Sequence, residues 1–265
     1  MESVKIRVGY GLGVRTKLND TGFLDVVDTL ENLKFDSLWL SERIGGEAPD
    51  PLVAMSMAAA RTTKLKFGMS VMVLPGRNPV LLAKQLATLD RMSNGRLLPA
   101  FGLGVADVAE QQAFGVERST RAKLFNETLE VVRKCWNDDV VNHNGEFFQL
   151  NNLRVLPKPQ QQPPEVWLGG IATSEPKRIA RTADGWLPSF VTPSDAEAGW
   201  ATIGEHAKEH NRSIDPEHFG VLIPYALGEV PNALIAGLAA RRPDLADPSV
   251  LVPNTWDALT KMIQE

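Results

Sequence analysis

Short apolar runs that read as strands alternate with helical periodicity along most of this chain. Residues 4–10 open as a strand, and residues 21–33 follow as a helix with Val26, Val27, Leu30 and Leu33 on one face. Residues 36–40 form a second strand. Asp50 then caps the free amides of a helix over 51–61, with Pro51 suited to its first turn. Residues 65–73 are a nearly continuous apolar run, as expected of a strand covered on both faces. Asn78-Pro79 starts the next helix, which ends near Met92, and Asn94-Gly95 supplies a left-handed stop. Residues 97–102 are a fourth strand. Strands that return to the same sheet end after each helix must run parallel.

The second half continues the alternation with excursions. Residues 108–137 are mostly helical, residues 142–152 read as a hairpin around Asn144-Gly145, and 155–164 is a connection rich in proline and glutamine. Residues 166–168 and 185–187 are short buried strands separated by a helix over 173–181. A helix over 194–211, a strand over 219–227 and helices over 231–240 and 254–264 complete the chain. About seven strand–helix units without a linker predict a single α/β domain over 1–265, with an eight-unit β/α barrel as the nearest regular architecture. A doubly wound open sheet is the alternative. Residues 250–252 are the only other apolar triplet and precede the last helix, so the closing eighth strand is expected to be missing. The sheet edges that this leaves need covering.

Composition narrows the function. Lys and Arg number 28 against 32 Asp and Glu, a formal net charge of -4, so no basic excess exists to neutralise a nucleic-acid backbone. The single cysteine, Cys135, rules out an internal disulfide framework or a multi-cysteine metal site and suits a reducing cytoplasm. Residues 1–7 lack the apolar stretch of a secretory signal. The longest apolar runs, at 52–60 and 67–74, fall short of the ~20 residues that cross a bilayer. A cytoplasmic protein bound neither to membrane nor to nucleic acid is the expectation.

Parallel α/β folds place chemistry at the carboxyl ends of their strands. Those ends carry Gly11-Leu12-Gly13, a stretch over 41–46 with Glu42 and Arg43, Gly102-Leu103-Gly104, and Gly169-Gly170. Glycine lets backbone approach something flat or bulky, and equally makes plain strand–helix turns. The run from Gly169 to Pro176 passes from strand through a glycine turn and hydroxyl residues into a helix, which aims free amides at one spot. That is a phosphate seat without a lysine, or else a helix capped by Thr173 or Ser174. Two stretches resembling dinucleotide fingerprints, from Gly9 and from Gly102, lack the last required glycine or alanine. His206 and His210 stand four apart without the glutamate of a zinc protease, so no metal site is expected. Glu42 could exchange protons in a partly enclosed cleft and Arg43 could hold an anionic ligand, or the two could form a surface ion pair.

Several longer stretches carry a resemblance. They are Asp50-Pro51-Leu52-Val53-Ala54, the run from Lys66 to Pro75, the run from Asn78 to Gln85, and the run from Thr88 to Arg96. Further along come Gly145-Glu146-Phe147-Phe148, Leu156-Pro157-Lys158-Pro159, Val166-Trp167-Leu168-Gly169-Gly170 and the run from Ala183 to Pro188. Together they resemble the bacterial-luciferase-like family, and within it most closely the branch of oxidoreductases that use the deazaflavin coenzyme F420. The resemblance implies a TIM-type barrel with an inserted region at about 105–160 and a homodimer formed through the helices after the second and third strands. It implies a cofactor, F420 or alternatively flavin mononucleotide (FMN), whose ring lies against a third-strand bulge with a cis bond between Ser70 and Val71. Gly104, Val105 and Ala106 would border the cofactor. Gly169, Gly170, Ile171, Ala172 and Thr173 would hold its phosphate. The acid–histidine pair of several F420 relatives is Glu42-Arg43 here, which leaves proton transfer to Glu42 and substrate contact to Arg43. The implied function is hydride transfer between the deazaflavin and a small organic substrate. A monooxygenase using reduced FMN and a non-catalytic flavin-binding protein are the alternatives.

Overall fold

A computed structural model describes residues 6–265, which belong to two compact units, Met1–Val166 and Trp167–Glu265. In the first unit, β1 (Gly9–Leu12), β2 (Ser37–Leu40), β3 (Lys66–Met69) and β5 (Leu97–Leu98) form a parallel sheet in that order. Gly11, Trp39 and Gly68 share one register row. The Trp39 ring occupies the space a side chain on Gly68 would need: a Cβ there would lie 2.7 Å from Trp39 Cζ3. The expected first strand began at residue 4. Residues 4 and 5 lie outside the described residues, and pairing starts at Gly9.

The apolar run expected as one third strand is two. β3 ends at Met69, the Ser70–Val71 bond is cis as anticipated, and β4 (Met72–Val73) pairs with β6 (Ala100–Gly102) instead of with β5. The fourth expected strand is likewise split into β5 and β6 by Pro99, which has no N–H to give to a ladder. Three helices flank these strands. α1 (Asp20–Asn32) is capped by Asn19, α2 (Pro51–Arg61) by Asp50, and α3 (Pro79–Met92) by Asn78. Phe67, Leu38, Leu40, Met55 and Leu86 are fully buried, each worth roughly 1.5–3 kcal/mol by removal from water.

The inserted stretch holds α4 (Val108–Phe114), α5 (Arg121–Asn137) and the hairpin of β7 (Val141–Asn144) and β8 (Gln149–Leu153). Trp136 on α5 donates its indole N–H to Ala83 O of α3 at 3.1 Å. Buried Asp90 anchors the proline–glutamine connection by accepting from the amides of Gln160 and Gln161 at 2.8 and 2.9 Å.

In the second unit, β9 (Trp167–Leu168) and β10 (Gly185–Trp186) pair in parallel around α6 (Glu175–Thr182). α7 (Pro193–Glu209) opens with a capping box between Thr192 and Asp195, and α8 (Asn232–Arg241) and α9 (Trp256–Gln264) follow. The strand expected over 219–227 is not formed. Only isolated bridges join Phe219 to Trp186 and Leu222 to Ser189. Pro188 and Pro224 bring no N–H to such a ladder, so it cannot propagate. The apolar triplet at 250–252 is no strand either. Leu251 closes a 3-10 turn (Pro248–Leu251) and packs with Val252 and Leu238 against Phe190 and Leu234. Among the described residues no strand follows β10, and no helix is long and apolar enough to cross a membrane.

Candidate functional site

The carboxyl ends of β2, β3, β4 and β6 meet in the first unit. Ser70 N donates to Leu40 O at 2.7 Å, continuing the β2–β3 pairing one residue past the strand. Ser41 Oγ lies 3.3 Å from both the carbonyl oxygen and the hydroxyl of Ser70. Val71 rests on Gly102, where a Cβ would come within 2.5 Å of Val71 Cγ2. Gly104 has φ +78° and lies beside Val73. Ser70, Val71 and Gly104 are half-buried, and Val105 and Ala106 are exposed. The result is a shelf of mostly apolar surface and backbone with two hydroxyls at one side. Such a surface suits a planar ring, whose faces are apolar and whose edge takes hydrogen bonds.

Glu42 and Arg43 stand side by side in the chain and do different things. The Glu42 side chain is 4% exposed. Its Oε2 accepts the Val73 amide at 2.7 Å and its Oε1 accepts from Arg77. Arg77 Nε donates to Val73 O at 2.8 Å, and its guanidinium lies over the Phe114 ring. Burial pushes the Glu42 carboxyl above its ordinary pKa, against the opposing pull of Arg77 and the Val73 N–H. Arg43 is turned toward α4. Its Nη2 lies 3.7 Å from Asp107 and its Nε 3.6 Å from Glu110, which also accepts the Gly45 amide at 3.3 Å. The guanidinium expected to meet a substrate therefore ties the loop after β2 to the start of α4. The surface ion pair of adjacent residues is not formed: Glu42 pairs with Arg77, and Arg43 with Asp107 and Glu110. Neither Arg77 nor Glu110 was singled out from sequence, because their partners lie 35 and 67 positions away and no local pattern marks them.

The glycine turn of the second unit is a separate feature. Gly170 has φ +109°, and its carbonyl accepts the Trp186 indole N–H at 3.1 Å. Ile171, Ala172, Thr173 and Ser174 are exposed, and their amides have no protein acceptor among the described residues. α6 begins at Glu175, two residues later than expected, and Ser174 at its N-cap makes no side-chain capping bond. The plain capped helix is thus not what forms: the amides stay open toward solvent. Buried Glu175 pairs with Arg178 beneath the turn.

Other candidates are structural. His206 pairs with Glu209 at 3.1 Å along α7. Cys135 is buried in α5, and burial pushes its thiol up, away from the thiolate a nucleophile needs. Among the described residues no group of three His, Cys, Asp or Glu is placed to hold a metal ion.

Known proteins share this architecture. An F420-dependent secondary alcohol dehydrogenase, solved with an F420–acetone adduct, superposes with a TM-score of 0.74 at 21% identity, over 98% of this chain and 81% of that one. The oxygenating constituent of 3,6-diketocamphane monooxygenase from Pseudomonas putida, solved with FMN, gives a TM-score of 0.74 at 17% identity, over 89% of this chain and 71% of that one. These likenesses show an α/β fold of the same kind. In sequence, an F420-dependent glucose-6-phosphate dehydrogenase of Amycolatopsis mediterranei is 28% identical over 194 residues, 69% of this chain and 57% of that protein. The chain spans about half the length of the curated relatives it matches. Residues 11–251 match the sequence profile of luciferase-like monooxygenases. With nine-tenths of its length inside that match, the chain belongs to the luciferase-like monooxygenase family.

Proposed function

We propose that the protein is an oxidoreductase that uses coenzyme F420 to move a hydride to or from a small organic substrate. The observation that carries this reading is the shelf of the first unit, where Ser70, Val71 and Gly104 offer half-buried backbone and methyl surface at the ends of four strands. Ser70 and Val71 would lie beneath the ring, and Gly104, Val105 and Ala106 would border it. In the second unit, the open amides from Ile171 to Thr173, with Gly169 and Gly170 before them, would accept an anionic group. When bound, the deazaflavin supplies or accepts the hydride, and the protein contributes orientation and electrostatics. The Ser41 and Ser70 hydroxyls can orient a polar edge. Val71 and Val105 keep water from the shelf. The exposed Val53 of α2 and Leu81 of α3 support a homodimer through these helices.

F420 is preferred over FMN because the named curated relative uses F420, while the solved neighbours include proteins of both kinds. Titration of the protein with each cofactor, followed by fluorescence, tests the reading. Tighter binding of F420 is expected. Preference for FMN would turn the assignment toward a monooxygenase, and binding of neither would overturn it.

A further inference from the structure

Val73 closes β4, and only one edge of it meets a strand. Met72 and Val73 stand opposite Phe101 and Gly102, and Leu74 N donates to Gly102 O at 3.1 Å. On the other edge β2, which runs beside β3 as far as the Leu40–Met69 pair, has already ended. The N–H and C=O of Val73 on that side have no ladder to join, and Val73 is buried. A buried amide group left unpaired is costly, so something else must take both. Glu42 accepts the N–H at 2.7 Å, Arg77 donates to the C=O at 2.8 Å, and Arg77 donates to the second Glu42 oxygen. The two side chains and one peptide residue form a closed ring that stands in for the absent strand. Its far side is packed as well: Arg77 lies over Phe114, and a Cβ on Gly76 would come within 2.2 Å of Phe114 O.

We propose that Glu42 and Arg77 act together as positioning residues that hold the 70–73 shelf in shape for the cofactor ring, and that Glu42 is not the proton donor. Both Glu42 oxygens are engaged and the side chain is 4% exposed, whereas a general acid or base must reach the reacting atom or a water beside it. Removing Arg77 leaves the Glu42 charge buried and unpaired, and removing Glu42 leaves the Val73 amide without its acceptor and Arg77 without its carboxylate, so both truncations damage the same structure. The inference rests on the reading of the shelf as the ring site, but its mechanical part concerns Val73 alone.

The test uses Glu42→Ala, Glu42→Gln, Arg77→Met and the Glu42→Ala/Arg77→Met double variant, with Leu129→Ala on α5 as a control destabilised elsewhere. Amide hydrogen exchange across residues 70–77 is measured without cofactor, and F420 and FMN affinities and the absorption band of the bound cofactor are measured with it. Exchange at 72–74 is expected to accelerate in Glu42→Ala and Arg77→Met but not in Leu129→Ala. The dissociation constant is expected to rise about tenfold to a hundredfold in each single truncation, as a displaced contact surface does. The double variant should be no worse than the poorer single one, because the ring fails as a unit. Glu42→Gln keeps an acceptor for Val73 and should fall between Glu42→Ala and the wild type. Wild-type exchange and affinity in Glu42→Ala would overturn the proposal, as would fully additive losses in the double variant. Intact binding and exchange in Glu42→Gln with turnover abolished would instead make Glu42 the proton donor. If the wild type binds neither cofactor, the proposed function fails, and the exchange measurements still decide whether Glu42 and Arg77 brace the strand end.

Discussion

The shelf at 70–73 and the turn at 171–174 both contain backbone outside any ladder, and the protein treats them in opposite ways. At the shelf, Glu42 and Arg77 take both polar groups of buried Val73. At the turn, four successive amides stay exposed and no side chain caps them. The difference follows burial: an amide away from water must be satisfied from within, whereas one at the surface can bond water until a ligand arrives. The first unit repeats its solution elsewhere. Glu127 collects the amides of Glu146, Phe147 and Phe148, and Glu31 those of Thr63, Lys64 and Leu65. In the second unit arginines gather carbonyls, as Arg96 does in the first with those of Ala59, Leu65 and Ser93. Arg212 donates to Ala180 O and Ala183 O, and Arg242 to Phe190 O.

The largest effect is expected at Glu127. Glu127→Ala leaves three amides without their acceptor and should cost about 3 kcal/mol, read as a shift of the urea midpoint. Burial alone would push this carboxyl up, but the Phe148 amide, His143 and the Phe147 amide outweigh it and hold the pKa below the ordinary 4.5. A depressed carboxylate stabilises the fold fully above that ordinary value, and the contribution disappears as pH falls through the folded value. The gap between wild type and Glu127→Ala should therefore be widest at neutral pH and narrow in acid. A gap that widens in acid would contradict the arrangement.

Arg242→Met is the matching change in the second unit. The side chain is 8% exposed and bonds Phe190 O, Asp195 and Asp244. The loss should be about 2 kcal/mol, less than for a fully buried pair because Asp244 faces solvent. Calorimetry should place the change in the unit that contains α7 and α8.

The smallest effects separate the two kinds of helix start. Asn78 accepts the amides of Val80 and Leu81, so Asn78→Ala should cost about 1 kcal/mol. Ser174 makes no such bond, and Ser174→Ala should stay within about 0.5 kcal/mol of wild type. A Ser174 loss as large as that at Asn78 would mean the turn is closed on itself and unavailable to an anion.

Local chemistry was readable where neighbours in sequence are neighbours in space. Asp50-Pro51 and Asn78-Pro79 do start helices, and Asn94-Gly95 ends one with φ of 58° and 76°. The hairpin expected around Asn144-Gly145 forms, with Asn144 ending β7 and Gly145 N donating to Phe148 O at 2.9 Å. The glycine there is needed for a contact invisible in the sequence, since a Cβ on Gly145 would lie 2.0 Å from Glu127 Oε1. The expected strand over 219–227 failed for the converse reason. Its apolar pattern was suitable, but the prolines that interrupt pairing sit partly on the neighbouring segment, at Pro188.

Periodicity, caps and turn residues thus sufficed to lay out most of the alternating elements, because those signals act within a few residues. Which charges pair could not be read that way. Glu42 finds Arg77, and Arg43 finds Asp107 and Glu110, only after parallel strands have brought distant loops together. Burial then sets the worth of each pair, and burial belongs to the packed molecule: the strand end shows a carboxylate at Glu42, and only the tertiary structure leaves its side chain 4% exposed with both oxygens engaged.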